Sequence, residues 1–132
     1  MILINEEKRE QLIKQACLVR ERAYAHYSHF EVGAALLTDT GHVVTGCNVE
    51  NASYGLTNCA ERTAVFSAVS KGLQRFLAIA IASSGGVPPC GACRQVLAEF
   101  APDLPILLID VLKPSQIVET SLAQLFPGPF RL

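Results

Sequence analysis

The sequence predicts an α/β fold: a three-layer α/β/α sandwich around a mixed five-stranded sheet. Two observations lead there. Helical and strand-like segments follow one another in the order α-β-β-α-β-α-β-β-α, and the strand–helix–strand units in the middle call for parallel pairing with right-handed crossovers. Half of the 132 residues are apolar and only 17% are charged, which asks for a sheet covered on both faces or for apolar surface buried between subunits. A chain of this length reads as one domain over residues 1–132, large enough for a core without disulfides.

The elements follow in order. Residues 6–24 read as an amphipathic helix, with Leu12, Ala16, Val19 and Ala23 at i, i+4, i+7 and i+11. Glu31 to Thr38 is an apolar strand. The turn Asp39-Thr40-Gly41-His42 leads into a second strand, Val43 to Asn48, so the two form an antiparallel hairpin. A polar loop, Glu50 to Asn58, comes next. From Cys59 to Lys71 the pattern is helical, with Ala64, Val65, Ala68 and Val69 on one side and Gly72 as the stop. Asn58 is the expected N-cap, which puts Cys59 and Glu61 in the first turn. Leu77 to Ser83 is a buried strand, and the loop after it ends in Pro88 and Pro89, which cannot extend that strand inside a sheet. A helix from Cys90 to Phe100, a strand from Ile106 to Ile109 and a weaker edge strand from Gln116 to Glu119 complete the sheet. Ser121 with Gln124 makes a capping box for a last helical turn that Pro127 ends.

Composition excludes several classes of function. The formal net charge is −1 and Lys and Arg are scattered, so there is no basic footprint for nucleic acid. No stretch approaches the roughly 18 apolar residues of a membrane span. The segment Met1 to Glu10 turns charged too soon for a secretory signal. Five cysteines is an odd number, and two of them form a C-x-x-C pair. That pattern favours metal or thiol chemistry in a reducing cytoplasm over a disulfide framework.

The chemistry concentrates in Cys59-Ala60-Glu61 and Pro89-Cys90-Gly91-Ala92-Cys93. Three cysteines supply three soft ligands for one zinc ion, whose fourth tetrahedral position stays open for water. Glu61 sits where it could move that water's protons. Taken alone, Cys90 and Cys93 fit a structural zinc, a redox pair or coincidence. A redox pair, however, does not ask for a third cysteine at a helix start beside a carboxylate. Both halves fall at helix N-termini, where a thiolate gains from unpaired N–H groups and the positive end of the helix dipole. Three thiolates and Zn²⁺ sum to a charge of −1, and Arg62 could offset it by hydrogen-bonding to ligand sulfurs. Cys17 and Cys47 have no partner in the pattern and read as small buried hydrophobes. His26, His29 and His42 lack ligand spacing and read as loop or surface residues.

Three segments together carry a family likeness: Asn48-Val49-Glu50-Asn51-Ala52-Ser53-Tyr54, Asn58-Cys59-Ala60-Glu61-Arg62-Thr63-Ala64 and Pro89-Cys90-Gly91-Ala92-Cys93-Arg94-Gln95. From about Tyr24 to Phe130 the chain resembles the short, homotetrameric cytidine deaminases. Many relatives place a histidine as first ligand; Cys59 puts this chain with the all-cysteine branch. The resemblance implies zinc on Cys59, Cys90 and Cys93, with Glu61 as the proton carrier. That carboxylate takes a proton from water, passes it to N3 of cytosine and returns one to the departing amino group. Cytidine and 2′-deoxycytidine would become the uracil nucleosides with release of ammonia, in pyrimidine salvage. Asn48 and Glu50 resemble the pair that binds the ribose 3′-hydroxyl, and Phe30 the aromatic packed on the pyrimidine. The backbone N–H of Ala60 lies where the family reads a base carbonyl. Tyr54 and Phe130 resemble residues that reach a neighbouring subunit's pocket.

Without the likeness, Phe30 and Phe130 would read as core, Glu50 as a solvated acid and Arg94 as a helix-surface charge. Two other functions stand beside the leading one. Blasticidin-type deaminases act on a related cytosine nucleoside but depart from the Asn-x-Glu pair retained here. A non-catalytic zinc module would need a fourth ligand or the loss of Glu61.

Overall fold

In the computed structural model, which describes residues 4–132, Asn5 caps the first helix, α1 (Glu6–Arg20). Its Oδ1 accepts the Lys8 N–H at 2.8 Å, and Glu6 and Glu7 sit in the first turn at the positive end of the helix dipole. Residues 1–3 of the N-terminal segment discussed above lie outside the described residues. The helix ends at Arg20 rather than at residue 24, and the reason lies in the backbone beyond it. Tyr24 donates its N–H to Asn48 O at 2.9 Å and accepts the Glu50 N–H at 2.8 Å. That bridge to Val49 requires extended chain. Ala23 therefore falls beyond the helix, while Leu12 and Ala16 are fully buried.

β1 (Gly33–Thr38) and β2 (Val43–Cys47) form the expected hairpin, in register from Gly33 opposite Cys47 to Leu37 opposite Val43. The loop that follows contains a short 3₁₀ turn, Tyr54–Leu56, absent from the sequence reading. Then come α2 (Ala60–Ser70), β3 (Phe76–Ser83), α3 (Gly91–Phe100), β4 (Pro105–Asp110), β5 (Ile117–Ser121) and α4 (Leu122–Leu125). Gly72 stops α2 as expected. Its φ of +80° is left-handed, and the Leu73 and Gly72 N–H groups return to Ala68 O and Val69 O, both at 2.9 Å. At α4, Ser121 Oγ accepts the Gln124 N–H at 3.2 Å, but Gln124 Oε1 turns to the Thr120 hydroxyl, so only half of the capping box forms.

The sheet order is β2-β1-β3-β4-β5. Only β3 and β4, joined through α3, are adjacent parallel strands. The β2–α2–β3 crossover steps over β1, which runs antiparallel to both of its neighbours. The alternation within β3 explains the layering. Ile79 and Ile81 join Leu36, Ile106, Leu97 and Val65 in the core beneath α2 and α3. The intervening Ala78, Ala80 and Ala82 face the opposite way, onto Leu12 and Ala16 of α1. Large residues on one face and alanines on the other give the three layers, with α1 alone against the small-residue side. Cys17 and Cys47 are half-buried rather than fully buried, and burial raises both thiols above their ordinary range. His26, His29 and His42 are exposed. No described helix is long and apolar enough to cross a membrane.

Candidate active site

The three cysteines that could hold a metal stand at two helix starts. Cys59, not Asn58, is the N-cap of α2. Asn58 is taken up by an antiparallel bridge, exchanging both N–H···O bonds with Val49 at 2.9 Å, so its backbone is extended one residue past the expected cap. The Cys59 side chain makes no capping bond, which frees its sulfur. Cys90 caps α3, its Sγ accepting the Cys93 N–H at 3.5 Å. The Cys59 and Cys90 sulfurs are 3.8 Å apart, and all three sulfurs lie within 4.8 Å of one another. Tetrahedral ligands at about 2.3 Å from zinc are themselves about 3.8 Å apart. The donor set and its spacing therefore fit zinc. No other His, Cys, Asp or Glu among the described residues joins the cluster, which leaves a fourth position open.

Packing fixes this end of the molecule. A Cβ on Gly46 of β2 would lie 2.4 Å from Ala64 N and 2.7 Å from Ala60 O. The first turns of α2 thus rest directly on the β2 backbone, and only glycine permits the approach. Arg62 Nη2 donates to Cys59 Sγ at 3.3 Å, while its Nε is buried without a partner among the described residues. The hydrogen bond with Cys93, then those with Arg62 and Cys90, hold the Cys59 thiol well below its ordinary range against the effect of burial. Cys93 moves the other way, raised first by Cys59 and then by burial. The Arg62 guanidinium is held charged, chiefly by Cys59. Glu61 is only 5% exposed, and burial pushes its carboxyl up to about 7. A carboxyl in that range can both accept and return a proton near neutrality.

A second constellation lies beyond the Val49–Asn58 bridge. Glu50 Oε1 accepts the Tyr27 and Ser28 N–H groups, both at 3.0 Å, and Oε2 bonds the Ser28 hydroxyl. Ser28 Oγ in turn accepts the Phe30 N–H at 3.0 Å. Its hydroxyl bond is the leading cause that holds the Glu50 carboxyl below its ordinary value. Asn48, 8% exposed, accepts the Val32 N–H at 2.9 Å and donates to Phe30 O at 2.8 Å. A groove of about 400 Å³ opens here, lined by Tyr27, Ser28, Glu50, Asn51, Tyr54 and Thr57. Tyr27 and Tyr54 meet edge to face with centroids 6.3 Å apart.

Of the residues singled out in the sequence, Cys59, Cys90, Cys93, Glu61 and Arg62 thus form one cluster. Phe30, Asn48, Glu50 and Tyr54 form another beside it. Ala60 is fully buried between α2 and β2, and neither it nor the cysteines line the groove. Phe130 belongs to neither cluster; its ring is exposed and its backbone is held by Gln95.

Four residues escaped the sequence reading. Ser28 and Gly46 act through contacts between segments distant in the chain, which no local spacing reveals. Gln95 stood in a quoted motif without a role. Arg94, a helix-surface charge by its sequence position, donates from Nε to Pro89 O at 2.7 Å and from Nη1 to Leu125 O at 2.8 Å. It clamps the proline loop ahead of Cys90 to the C-terminal helix.

These features recur in known proteins. The model of the family described as "Cytidine and deoxycytidylate deaminase zinc-binding region" matches residues 6–107. A cytidine deaminase of Halalkalibacterium halodurans is 52% identical over 125 residues, covering 92% of this chain and 93% of that protein. Another, from Sporosarcina psychrophila, is 50% identical over 124 residues, covering 92% and 90%. The crystal structure of cytidine deaminase from Burkholderia pseudomallei superposes with a TM-score of 0.87 at 48% identity, over 96% of this chain and 100% of that one. With its sulfur cluster at two helix starts and about half its residues shared along most of its length, the chain belongs to the cytidine and deoxycytidylate deaminase family.

Proposed function

We propose that this chain hydrolytically deaminates cytidine and 2′-deoxycytidine to uridine and 2′-deoxyuridine, releasing ammonia, as a zinc-dependent enzyme of pyrimidine salvage. The observation that carries this reading is the buried Glu61 carboxyl beside a three-sulfur cluster that has no fourth ligand among the described residues. Cys59, Cys90 and Cys93 hold the metal. When bound, Zn²⁺ supplies Lewis acidity at an open coordination position. Arg62 offsets the surplus negative charge of the thiolates. Glu61 takes a proton from the water that adds to C4 of cytosine and gives it to N3. It then takes the remaining proton of the new C4 hydroxyl and delivers it to the amino group, which leaves as ammonia while the C4 carbonyl forms. Its burial-raised carboxyl, at about 7, suits both directions of transfer.

Asn48 and Glu50 bind the ribose 3′-hydroxyl. Each already bonds the chain, but Asn48 keeps one amide hydrogen and Glu50 keeps acceptor capacity. Phe30 packs on the base. The Ala60 N–H, at the first residue of α2 and so without an intrahelical acceptor, donates to the base carbonyl. Ala60 is buried, so that contact requires the pocket to open over it. Residues 1–132 act as one domain, and the exposed Tyr54 and Phe130 rings complete a neighbour's pocket in a cytoplasmic homotetramer. The retained Asn48 and Glu50 favour cytidine over a blasticidin-type nucleoside.

The test pairs zinc stoichiometry with a cytidine assay. One zinc per chain and loss of cytidine absorbance with ammonia release are expected. A zinc-loaded protein silent on every cytosine nucleoside would leave only a binding module. Glu61→Ala should keep its zinc while turnover falls by roughly 10²–10⁴; loss of metal instead would make Glu61 a ligand.

A further inference from the structure

Gln95 closes the Pro89–Gln95 motif without holding metal or nucleoside. Its side-chain amide brackets a single backbone position: Nε2 donates to Phe130 O at 3.0 Å and Oε1 accepts the Phe130 N–H at 3.1 Å. This is the two-way exchange of an antiparallel ladder pair, made by a side chain. It needs a donor and an acceptor in one plane, which at this length glutamine supplies whatever the pH and an ionised glutamate does not. The tail is tied to α3 on either side as well, by Arg94 to Leu125 O at 2.8 Å and by Arg131 to Ala98 O at 3.2 Å. The same helix begins at Cys90 and carries Cys93. Yet the Phe130 side of this bracket adds little to the chain's own core, because Phe130 is 70% exposed. Fixing a residue at both its N–H and its C=O while its ring stands in solvent sets where that ring points.

We propose that Gln95 is a positioning residue, whose amide couples the metal-ligand helix to the Phe130 ring and sets the orientation in which that ring enters the neighbouring subunit's nucleoside pocket. The inference rests on the reading of Phe130 as a pocket residue and deepens it. Losing the bracket loosens the ring without touching a ligand, so the effect falls on KM more than on kcat.

The experiment compares Gln95→Leu, Gln95→Glu, Phe130→Ala and the Gln95→Leu/Phe130→Ala double variant as assembled, zinc-loaded enzymes. Gln95→Leu should keep one zinc per chain and raise KM for cytidine roughly five- to ten-fold, the loss of two modest hydrogen bonds. Gln95→Glu keeps the acceptor and lacks the donor, so its KM should lie between. Phe130→Ala should raise KM at least as much, and the double variant should add nothing to it. Deuterium uptake in the C-terminal peptide, followed by mass spectrometry, should quicken in Gln95→Leu while the α3 peptide stays unchanged.

A wild-type KM in Gln95→Leu beside a raised one in Phe130→Ala overturns the coupling and leaves the pocket reading of Phe130 standing. A wild-type KM in Phe130→Ala removes that reading and the proposal with it. Zinc loss in Gln95→Leu, or additive effects in the double variant, overturns the proposal as well. Should Gln95→Leu not assemble, Gln95→Glu decides alone, and unchanged KM with unchanged uptake overturns it.

Discussion

The candidate metal centre and the loop-lined groove adjoin each other but are built by different means. At the metal centre, helix starts carry the ligands, and backbone-on-backbone packing at Gly46 sets their height above the sheet. Cys93, Ala60, Ala64 and Glu61 are all buried there. The groove is instead a junction of loops, residues 24–32 against 48–50, fastened by side chains that bond backbone. Its aromatic rings, Tyr27 and Tyr54, stand exposed, and so does Phe30 outside its lining. The contrast separates two kinds of sensitivity. Cys90 is exposed and Cys59 half-buried, but a change on the buried side of the cluster, at Cys93 or under α2, alters a packed geometry with little room to relax. At the groove, a change removes a polar group that both fastens a loop and, in the proposed reaction, meets the sugar.

The largest expected effect is therefore at Cys93. Cys93→Ala removes a fully buried ligand, and both zinc and turnover should be lost, because a site left with two sulfurs holds the ion weakly. Retention of one zinc per chain would mean the centre is not built on these sulfurs. Gly46→Ala comes next. A Cβ 2.4 Å from Ala64 N has only backbone to displace, so α2 must lift, at a cost of roughly 1–3 kcal/mol in denaturant unfolding, the usual range for overpacking. Turnover should fall along with stability although no ligand has changed. Unaltered stability and activity would break the claim that packing, rather than the metal itself, sets this geometry.

The same contrast decides what could be read from the chain. The metal centre was legible because its parts are local: Cys59 and Glu61 in one motif, Cys90 and Cys93 in another, each at a recognisable helix start. Even the misplaced cap was off by only one residue, displaced by the bridge between Asn58 and Val49. The hairpin and the central strands were legible from apolar runs and the Asp39-to-His42 turn. What was hidden depended on tertiary partners. The end of α1 at Arg20 follows from the pull of Asn48 and Glu50 on Tyr24. Arg94 became a clamp only because Pro89 and Leu125 come within its reach. Glu50 of the groove, with Phe30 and Asn48 bonded beside it, stood out by family likeness alone, since their spacing carries no pattern of its own.

A smaller effect is expected in the groove. Glu50→Ala removes the acceptor for the Tyr27 and Ser28 N–H groups as well as the proposed sugar contact. KM for cytidine should rise about ten-fold, in keeping with loss of a charged hydrogen bond, with zinc content unchanged. Unchanged KM and kcat would sink the sugar contact. Loss of zinc would show that the two constellations are one unit, against the contrast drawn above.

The subtlest expected effect is a shift along the pH axis. The Glu50 carboxyl is held below its ordinary value of 4.5, first by the Ser28 hydroxyl and then by the Ser28 and Tyr27 N–H groups. A group lowered by folding contributes above its unfolded value and loses that contribution as pH falls through the lower, folded value. Nucleoside KM in the unaltered enzyme should therefore stay level as pH falls toward the ordinary carboxylate range and rise only below it. Ser28→Ala removes the leading cause of the shift. Its KM near neutrality should change little, while its acid limb moves up toward 4.5. Protonation of the cytosine ring is common to both enzymes and cancels when the two profiles are compared, and zinc content measured at each pH separates metal loss from the limb. Coincident limbs would mean that Ser28 does not hold the carboxylate, leaving the groove fastened by backbone N–H groups alone.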